Sequence, residues 1–345
     1  MSLAIVIHAA RDLRLESAPV EPLGPRDVEV EIGAGGICGS DLHYYNHGGF
    51  GAVRLRQPMI LGHEIAGTVR AVGAQITAVK PGDRVAVDPS RACGKCRFCA
   101  LGLQNHCLDM RFYGSAMPFP HIQGGFRQRL VVEERQCVAI PDHMSLSDAA
   151  FAEPLAVCLH AKNRAGDLAG RHVLVTGCGP IGALAIAAAR LGGAARIVAT
   201  DVADRPLAMA RQMGADHAVN VATDPAALDA FKADKGAFDV MLEASGNAAA
   251  IKSGLELLRP RGILVLVGLG GEAQLPLNMI VAKEIDLRGT FRFHAEFAQA
   301  VQAIASGRID PRPLLTDVIP MREAVRAFDL AGDKSKAMKV QLSFA

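Results

Sequence analysis

The sequence predicts an α/β protein that combines a doubly wound parallel sheet with a second, mainly β domain. Between His172 and about Leu269, short and nearly continuous apolar runs (HVLVTG, RIVATD, FDVMLEAS and GILVLVGL) alternate with Ala-rich segments of helical spacing. Such runs are typical of parallel strands that are covered on both faces. Up to about residue 150, alternating runs such as DVEVEIG and RVAVDP lie between Gly and Pro turns, as half-buried strands do. A chain of 345 residues is long enough for two such domains.

The order of these regions predicts that the first domain is discontinuous. Residues 1–150 are assigned to it, and a helix is expected from about Phe151 to Arg164. Residues 151–284 are assigned to the parallel sheet and its helices. Residues 285–345 contain further helices and a final strand, MKVQLSF, which is expected to return to the first domain.

Composition and charge exclude several classes of partner. The formal net charge is +2, so the chain has no general attraction to nucleic acid or to an anionic membrane. No apolar stretch approaches the roughly 20 residues that span a bilayer. The opening segment MSLAIVIHAARDLRLES has neither a basic start nor a small-residue cleavage pattern, and it is interpreted as a strand rather than a signal peptide. A cytoplasmic protein is therefore expected.

The turn after HVLV has the glycine spacing of a dinucleotide-binding loop. It follows a predicted strand and opens a predicted helix, and this context gives the G-x-G-x-x-G pattern its meaning. The first glycine permits a tight turn, the second lets backbone amides approach a pyrophosphate, and the third lets helix and strand pack closely. The residues assigned to the cofactor here are Gly177, Gly179, Pro180, Ile181 and Gly182.

Asp201 ends the second strand of this region, at the position expected for an acidic residue that binds a ribose hydroxyl. A carboxylate at this position would repel a 2′-phosphate, so NAD is favoured over NADP. Arg205 lies nearby and could soften that preference. The structural alternative is that the glycines only fit a βα turn and that Asp201 caps the next helix.

Four clustered cysteines predict a structural zinc site in a lobe of residues 90–110. A tight cluster in a cytosolic chain points to metal before disulfide, and four thiolates suit tetrahedral zinc with closed coordination. The zinc would cross-link a long loop that has little apolar content of its own. The ligands are Cys93, Cys96, Cys99 and Cys107.

A second, looser set predicts a catalytic zinc site. Cys38 and His63 lie in the Gly-flanked segments GGICGSDLH and LGHEIAGTV, and Glu64 follows His63, with Glu153 further along. One Cys, one His and one carboxylate leave a fourth position open for water or substrate, as catalytic zinc requires. Taken singly, each of these residues is more often structural, so the residues alone leave both interpretations open.

These motifs together resemble the zinc-dependent medium-chain dehydrogenases, the family of alcohol and polyol dehydrogenases. The resemblance covers essentially the whole chain, through GGICGSDLHYY, GHEIAGTV, PGDRVAV, the four-cysteine lobe, FAEPLAV and VTGCGPIG. FAEPLAV indicates the polyol branch, because Glu153 replaces a cysteine ligand there. The stretches CLDMRFYGSAMPFPHIQGGF and LRGTFRF are similar to those of the L-idonate 5-dehydrogenases.

The resemblance implies a fold, a reaction and an assembly. The fold would be a partly barrel-like, GroES-like catalytic domain with a central Rossmann domain. The reaction would be oxidation of a secondary alcohol with hydride transfer to NAD, with one catalytic and one structural zinc ion in each subunit. L-idonate and 5-keto-D-gluconate are the implied substrate pair, and a neutral polyol such as sorbitol or xylitol is the alternative. A homo-oligomer, either tetramer or dimer, is also implied.

Site residues are carried over by matching motifs. Cys38 and His63 would bind the catalytic zinc together with a glutamate, either Glu64 or Glu153. Ser40 and His43 match the proton-relay positions of the family. The residues that match the polyol pocket are Tyr44, Arg292 and Phe293. One departure concerns Arg205, because related sorbitol dehydrogenases carry their ribose-side arginine one position later, where this chain has Pro206.

A sugar acid requires a cation for its carboxylate, preferably an arginine. Arg292 is shared with enzymes of neutral polyols, so Arg111, in the stretch DMRFYGS, is the candidate. The structural alternative is that Arg111 only solvates the zinc lobe.

Two other functional classes would account for part of the motifs. A zinc-ribbon protein that binds nucleic acid would need a basic stripe, whereas the cysteine lobe has only scattered charge. A catalytically dead dinucleotide-binding protein would not need Cys38, His63 and the two glutamates. Neither class explains all of the motifs.

Overall fold

The structure is a computed structural model, and it describes residues 2–344. The chain divides into two compact units, here called unit 1 and unit 2. Unit 1 consists of Met1–Glu153 and Phe297–Ala345, and unit 2 consists of Pro154–Glu296. Unit 1 is therefore built from both ends of the chain.

Strands make up much of both units. Numbered along the chain, they are β1 (Ser2–Ala9), β2 (Asp12–Ala18), β3 (Asp27–Gly36), β4 (Gly49–Phe50), β5 (Val53–Arg54), β6 (Met59–Ile60), β7 (Glu64–Val72), β8 (Arg84–Val87), β9 (Ser90–Arg91), β10 (Arg111–Phe112), β11 (Arg129–Glu133), β12 (Cys137–Ala139), β13 (His172–Thr176), β14 (Arg196–Asp201), β15 (His217–Asn220), β16 (Phe238–Glu243), β17 (Leu258–Leu266), β18 (Asp286–Gly289), β19 (Leu315–Pro320) and β20 (Lys339–Ser343).

Helices connect and flank the strands. The α-helices are α1 (Gly39–His47), α2 (Arg97–Ala100), α3 (Leu146–Ala149), α4 (Ala152–Ala165), α5 (Pro180–Leu191), α6 (Asp204–Gln212), α7 (Ala248–Leu257), α8 (Leu277–Lys283), α9 (Glu296–Ala305) and α10 (Ala324–Gly332). Short 3₁₀ segments cover Gln104–His106, Glu134–Gln136, Pro225–Lys235, Arg312–Leu314 and Met321–Glu323. Within residues 2–344, no helix is both long and apolar enough to cross a bilayer.

Unit 1 is mainly β, as predicted. Its largest sheet has the strand order β12-β8-β7-β3-β20-β19, with β11 also paired to β3, and a second sheet has the order β2-β1-β6. Apolar residues alternate along β3, and Val28, Val30 and Ile32 are buried in the core between these strands. The final strand β20, which lies in MKVQLSF, pairs antiparallel with β3 of the same unit.

Unit 2 holds a six-stranded parallel sheet in the order β15-β14-β13-β16-β17-β18. The chain moves outward from β13 to β15, then returns to β16 beside β13 and moves outward again to β18. This is the predicted doubly wound arrangement of a Rossmann domain, and its topological switch point lies between β13 and β16. The apolar runs are buried as expected: Val173, Leu174 and Val175 of β13 have no exposed surface.

Strand β18 extends this sheet beyond residue 284, where the sequence analysis ended the domain. Its sequence, DLRG, has no continuous apolar run, because β18 lies at the edge of the sheet and most of its residues are exposed. A continuous apolar run arises where a strand is buried on both faces. Strand β18 is not buried in this way, so its sequence did not predict a strand.

Candidate active site and zinc centres

The antiparallel pairing of β3 and β7 brings together the residues predicted to bind catalytic zinc. Gly36, at the end of β3, is paired with Glu64, the first residue of β7. Cys38 follows β3 directly and precedes α1, while His63 precedes β7. One donor atom from each of Cys38, His63 and Glu64 lies within 4.8 Å of the others. The three residues will be called the Cys38 cluster.

The Cys38 cluster fits a zinc ion. A thiolate, an imidazole and a carboxylate form the donor set of a zinc site that keeps one position open. Burial, followed by the nearby Glu64 carboxylate, raises the pKa of the Cys38 thiol to about 12. A bound cation would convert this thiol to the thiolate. Nδ1 of His63 is buried and has no hydrogen-bond partner among residues 2–344.

Asp41, which the sequence analysis did not single out, holds the two loops of the cluster together. Its side chain is fully buried and accepts hydrogen bonds from the backbone N–H groups of Cys38 (3.0 Å) and Gly62 (3.3 Å). Oδ1 of Asp41 lies 3.8 Å from Nδ1 of His63. Burial raises the pKa of this carboxyl group although His63 opposes the shift. The sequence signal that could have identified Asp41 is its position in the first turn of α1, three residues after Cys38.

Lys339 is the second residue that the sequence analysis missed. It opens β20, is 4% exposed, and places Nζ 2.6 Å from Oε1 and 2.5 Å from Oε2 of Glu64. Nζ also donates to the carbonyl of Ile37 at 3.1 Å. Burial alone would lower the pKa of Lys339, but the charges of Glu64 and Cys38 outweigh it and raise that pKa. A compensated positive charge therefore lies directly beside the candidate ligand Glu64.

Glu153 lies close to the Cys38 cluster but not within it. Its side chain, in the first turn of α4, is buried. Burial raises the pKa of Glu153 to about 8, with His63 opposing the shift and Glu64 adding to it. The structure thus brings Glu64 into the donor set and leaves Glu153 outside the 4.8 Å limit. Which glutamate binds zinc directly stays a prediction.

Helix α1 carries the predicted relay residues and one predicted pocket residue. Ser40 is partly exposed, and its backbone N–H opposes the rise in the pKa of the Cys38 thiol. His43 stands against Phe50, with ring centroids 5.7 Å apart, and partial burial lowers its pKa, helped by His47. Tyr44 is only 2% exposed, and its hydroxyl accepts a hydrogen bond from the backbone N–H of Ala116 at 3.0 Å.

The four lobe cysteines converge as predicted. Their sulfur atoms all lie within 4.8 Å of one another, and the set consists of Cys93, Cys96, Cys99 and Cys107. Backbone N–H groups, that of Leu108 first, lower the pKa of Cys96 to about 6, while burial raises that of Cys99 to about 12. The donor chemistry and the spacing fit tetrahedral zinc with closed coordination.

Arg111 lies on β10, the short strand that leaves the cysteine lobe. It is exposed, and within residues 2–344 the structure records no hydrogen bond or ion pair for its side chain. The next residue, Phe112, is buried against His63, with ring centroids 5.5 Å apart. Because consecutive strand residues point to opposite faces, Phe112 faces the Cys38 cluster and Arg111 faces away from it.

In unit 2, the glycine turn has the geometry of a dinucleotide-binding loop. Gly177 has a φ of +80°, and a Cβ there would lie 2.7 Å from the backbone nitrogen of Ser245. A Cβ on Gly182 would lie 1.7 Å from the carbonyl oxygen of Gly177. A Cβ on Gly179, in contrast, would meet no atom within 4 Å, so packing within the chain does not require a glycine there. Space before the N-terminus of α5, which begins at Pro180 with Ile181 next, fits a pyrophosphate.

Asp201 anchors the glycine turn and also caps the start of the next helix. Oδ2 accepts a hydrogen bond from the N–H of Cys178 at 2.7 Å, so the carboxylate anchors the glycine turn. Oδ1 accepts from the N–H groups of Val202 (2.7 Å) and Ala203 (3.1 Å), just before α6. Arg205 is exposed in the first turn of that helix. The capping role therefore exists, and it leaves the ribose role untested.

Arg292 and Phe293 follow β18. Arg292 has a φ of +52°, an uncommon backbone conformation for a residue with a side chain, and its guanidinium lies 4.9 Å from the ring centroid of Phe291. Phe293 is 1% exposed. Glu296 anchors this segment by accepting from the backbone N–H of His294 at 3.0 Å.

Comparison with known proteins gives consistent matches along the chain. The family model described as the alcohol dehydrogenase GroES-like domain matches residues 24–142, and the model described as zinc-binding dehydrogenase matches residues 180–306. L-idonate 5-dehydrogenase (NAD(P)(+)) of Escherichia coli (strain K12) is 46% identical over 316 residues, which are 91% of each chain. Sorbitol dehydrogenase of Bacillus subtilis (strain 168) is 37% identical and covers 98% of this chain and 96% of its own.

Solved structures agree with these matches. The crystal structure of L-idonate 5-dehydrogenase from Escherichia coli K-12 superimposes with a TM-score of 0.96 at 43% identity. The superposition covers 99% of this chain and 98% of the other. The predicted combination of a Rossmann domain with a GroES-like domain is confirmed.

Proposed function

Because the chain belongs to the zinc-dependent medium-chain dehydrogenase family, we propose that it oxidises a secondary alcohol of a sugar acid with NAD, converting L-idonate to 5-keto-D-gluconate. Membership of the family makes it an oxidoreductase. The observation that carries the proposed reaction is the convergence of Cys38, His63 and Glu64 in a chain that is 46% identical to an L-idonate 5-dehydrogenase. Zinc would supply a Lewis acid that favours ionisation of the substrate hydroxyl, and NAD would supply the hydride acceptor.

The chain's own residues divide the remaining tasks. Cys38, His63 and Glu64 would hold the catalytic zinc, with the Glu153 carboxyl group as the alternative third ligand, while the four lobe cysteines would hold the structural ion. We expect two zinc ions per subunit by elemental analysis. Cys38→Ala should remove one of them and abolish turnover while NADH binding remains. A variant that keeps both ions and its activity would contradict the assignment.

Ser40 and His43 would carry the released proton to solvent. They lie three residues apart on α1, so they share one face of the helix. The lowered pKa of His43 keeps its imidazole neutral at pH 7, ready to accept a proton. Ser40→Ala is expected to lower kcat by about a hundredfold and to change the pH profile. An unchanged rate and profile would remove Ser40 from the relay.

The glycine turn would bind the pyrophosphate of NAD, and Asp201 would bind a ribose hydroxyl. The same carboxylate would repel the 2′-phosphate of NADP, so NAD would be preferred. The relative from Escherichia coli is named for both cofactors. Steady-state kinetics with NAD and NADP, compared for the wild type and for Arg205→Ala, test this preference. A lower KM for NADP than for NAD would contradict it, and an unchanged preference in the variant would take Arg205 out of the site.

Arg111 remains the candidate for the substrate carboxylate, together with Tyr44, Arg292 and Phe293 as pocket residues. Its exposure and lack of a recorded partner favour a ligand role, while its orientation away from Phe112 favours the solvation of the lobe. Arg91 is its cross-strand neighbour, and its side chain is already paired with Glu133, with Nε 3.4 Å from Oε1. Arg91→Ala therefore makes a matched control, in which an arginine with a partner in the chain is removed from the same pair of strands. A rise of KM for 5-keto-D-gluconate in Arg111→Ala but not in Arg91→Ala would place Arg111 in the site.

A neutral polyol is the second candidate substrate, because sorbitol dehydrogenases are also related. Oxidation of NADH by the purified protein with 5-keto-D-gluconate or with fructose, at equal concentrations, separates the two. Preference for the keto acid supports the proposal, whereas preference for fructose replaces it with a sorbitol or xylitol type of activity.

We further propose a cytoplasmic homo-oligomer, a tetramer or a dimer. Thiolate zinc sites persist in a reducing compartment, and the cysteines of residues 2–344 form no disulfide. Each unit has its own exposed apolar side chains: Leu101 and Leu108 on the cysteine lobe, and Leu277 and Val281 on α8. Two such surfaces would suffice to build a tetramer from dimers.

A further inference from the structure

We propose that Glu243 is the positioning residue of the cofactor cleft in unit 2, where it fixes the turn after β16 against the glycine turn after β13. The inference rests on the proposed use of NAD. Glu243 lies in unit 2 and is a member of neither candidate zinc cluster.

Glu243 lies at the topological switch point of the sheet. It is the last residue of β16 and is paired across the parallel ladder with Thr176, the last residue of β13. Ligands of doubly wound sheets bind in the crevice outside the carboxyl ends of the strands at this point. The side chain of Glu243 is nevertheless only 1% exposed, so it can act on a ligand only through other groups.

The carboxylate of Glu243 accepts hydrogen bonds from residues on both sides of the switch point. Oε1 accepts from the Thr176 hydroxyl (3.3 Å) and from the N–H of Ser245 (2.8 Å), and it also accepts from the Ser245 hydroxyl. The N–H of Gly246 lies 3.1 Å from each carboxylate oxygen. Because the side chain of Glu243 is buried and accepts hydrogen bonds from both residues, it fixes the orientation of residues 245–246.

The turn that Glu243 orients is in contact with the glycine turn. The backbone of Ser245 is the group that a Cβ on Gly177 would strike, at 2.7 Å. On the other side, a Cβ on Gly268 would lie 2.2 Å from the nitrogen of Gly246. The three turns that follow β13, β16 and β17 are thus packed backbone to backbone, and a shift of residues 245–246 would move the loop proposed to hold the pyrophosphate.

Glu243→Gln tests the inference, with Asp239→Asn as the matched control. Asp239 lies on the same strand near its other end, and it likewise accepts a backbone N–H, that of His172 (2.8 Å), and a side-chain donor, that of Arg259 (2.7 Å). In Glu243→Gln, the side-chain NH₂ group would replace one acceptor oxygen and would face N–H groups that need an acceptor. We expect the Kd for NADH, measured by its fluorescence on the zinc-loaded protein, to rise about tenfold. The KM for NAD should rise in parallel while kcat stays within about twofold.

The control separates positioning from stability. Both variants should lower the melting temperature, but only Glu243→Gln should weaken NADH binding. Equal NADH affinity in wild type and Glu243→Gln, or an equal loss in Asp239→Asn, overturns the inference and leaves the proposed function intact. Failure of the wild type itself to bind NADH overturns the proposed cofactor. If Glu243→Gln does not fold, Thr176→Val serves instead, with about a threefold rise in Kd expected and an unchanged Kd overturning the inference.

Discussion

Lys339 and Glu64 form a buried ion pair whose partners are 275 residues apart in the chain. The two charges stabilise each other only as a pair, because removal of one leaves the other buried without compensation. The pair also determines the setting of a candidate zinc ligand, since Lys339 contacts both carboxylate oxygens of Glu64.

Lys339→Met should therefore be strongly destabilising. We expect a loss of about 3 to 5 kcal/mol of unfolding free energy, together with weaker retention of the catalytic zinc. Lys336→Met is the control, because the Lys336 side chain is 70% exposed and pairs only at the surface with Asp333. Melting temperature and zinc content measured on both variants check the prediction. Equal values for Lys339→Met and wild type would contradict it.

The sequence predicted residues whose chemistry is local and missed those whose role depends on distant pairing. The four lobe cysteines are close in the chain, so their spacing alone predicted that they converge. Lys339 looked like an ordinary strand residue in MKVQLSF, because nothing local indicates that β20 lies beside β3. Glu243 was hidden in the same way, since its partner Thr176 belongs to another strand of the sheet.

At the scale of elements, Glu296 connects the segment that follows β18 to α4, within unit 2. Besides the N–H of His294, it accepts from Nδ2 of Asn163 (2.9 Å) and is hydrogen-bonded to Nδ1 of His160 (3.1 Å), both on α4. Burial alone would raise the pKa of Glu296, but the hydrogen bonds from His160, His294 and Asn163 outweigh it and lower the pKa from 4.5 to about 2. The ionised form is thus the one that the fold stabilises.

This shift predicts how stability depends on pH. Because the pKa of Glu296 is lowered on folding, its contribution is present above about pH 4.5 and is lost as the pH falls toward 2. Glu296→Gln should cost about 2 to 3 kcal/mol at pH 7. The difference in melting temperature between wild type and variant should shrink as the pH falls below about 4.5. A difference that grows below that pH would contradict the assignment.

The cysteine lobe is an element that zinc would hold together. Within it, the helical pieces α2 and Gln104–His106 are short, and Leu101 and Leu108 are exposed, so little apolar burial stabilises the lobe. Cys107→Ser should therefore remove one zinc ion per subunit and make residues 90–110 sensitive to protease, while NADH binding by unit 2 is retained. Limited proteolysis followed by mass spectrometry locates the cut. Cys137→Ser, outside the lobe, should leave both the zinc content and the protease resistance unchanged.

The sequence predicted the strands that are buried on both faces, because burial requires continuous apolar runs. It did not predict strands that lack such burial. The continuous apolar runs of β13, β14, β16 and β17 follow from helices on both faces of the sheet, so these strands were identified. The edge strand β18 and the short strands β9 and β10 have no such pattern. Their existence depends on neighbouring strands, which a sequence does not display.

At the scale of the whole molecule, the edge strand that was hardest to predict is also the feature that bears on assembly. Within the described part of the chain, β18 pairs only with β17, so its outer edge presents free backbone donors and acceptors. Apolar side chains are exposed on β18 and on α8: Leu287 is 42%, Leu277 67% and Val281 76% exposed. An edge with apolar surroundings is suited to pairing with the same edge of a second copy about a two-fold axis.

In the proposed homo-oligomer paired through this edge, the double variant Val281→Glu and Leu287→Glu should reduce the oligomeric mass of the protein. Four like charges would face one another across a two-fold interface, because each subunit contributes the same patch. Val325→Glu is the control, since Val325 is 48% exposed on α10 and belongs to unit 1, whereas β18 and α8 belong to unit 2. Light scattering coupled to size-exclusion chromatography gives the mass of each form. A lower mass for the double variant alone would identify β18 and α8 as the interface, whereas an unchanged mass would exclude them from it.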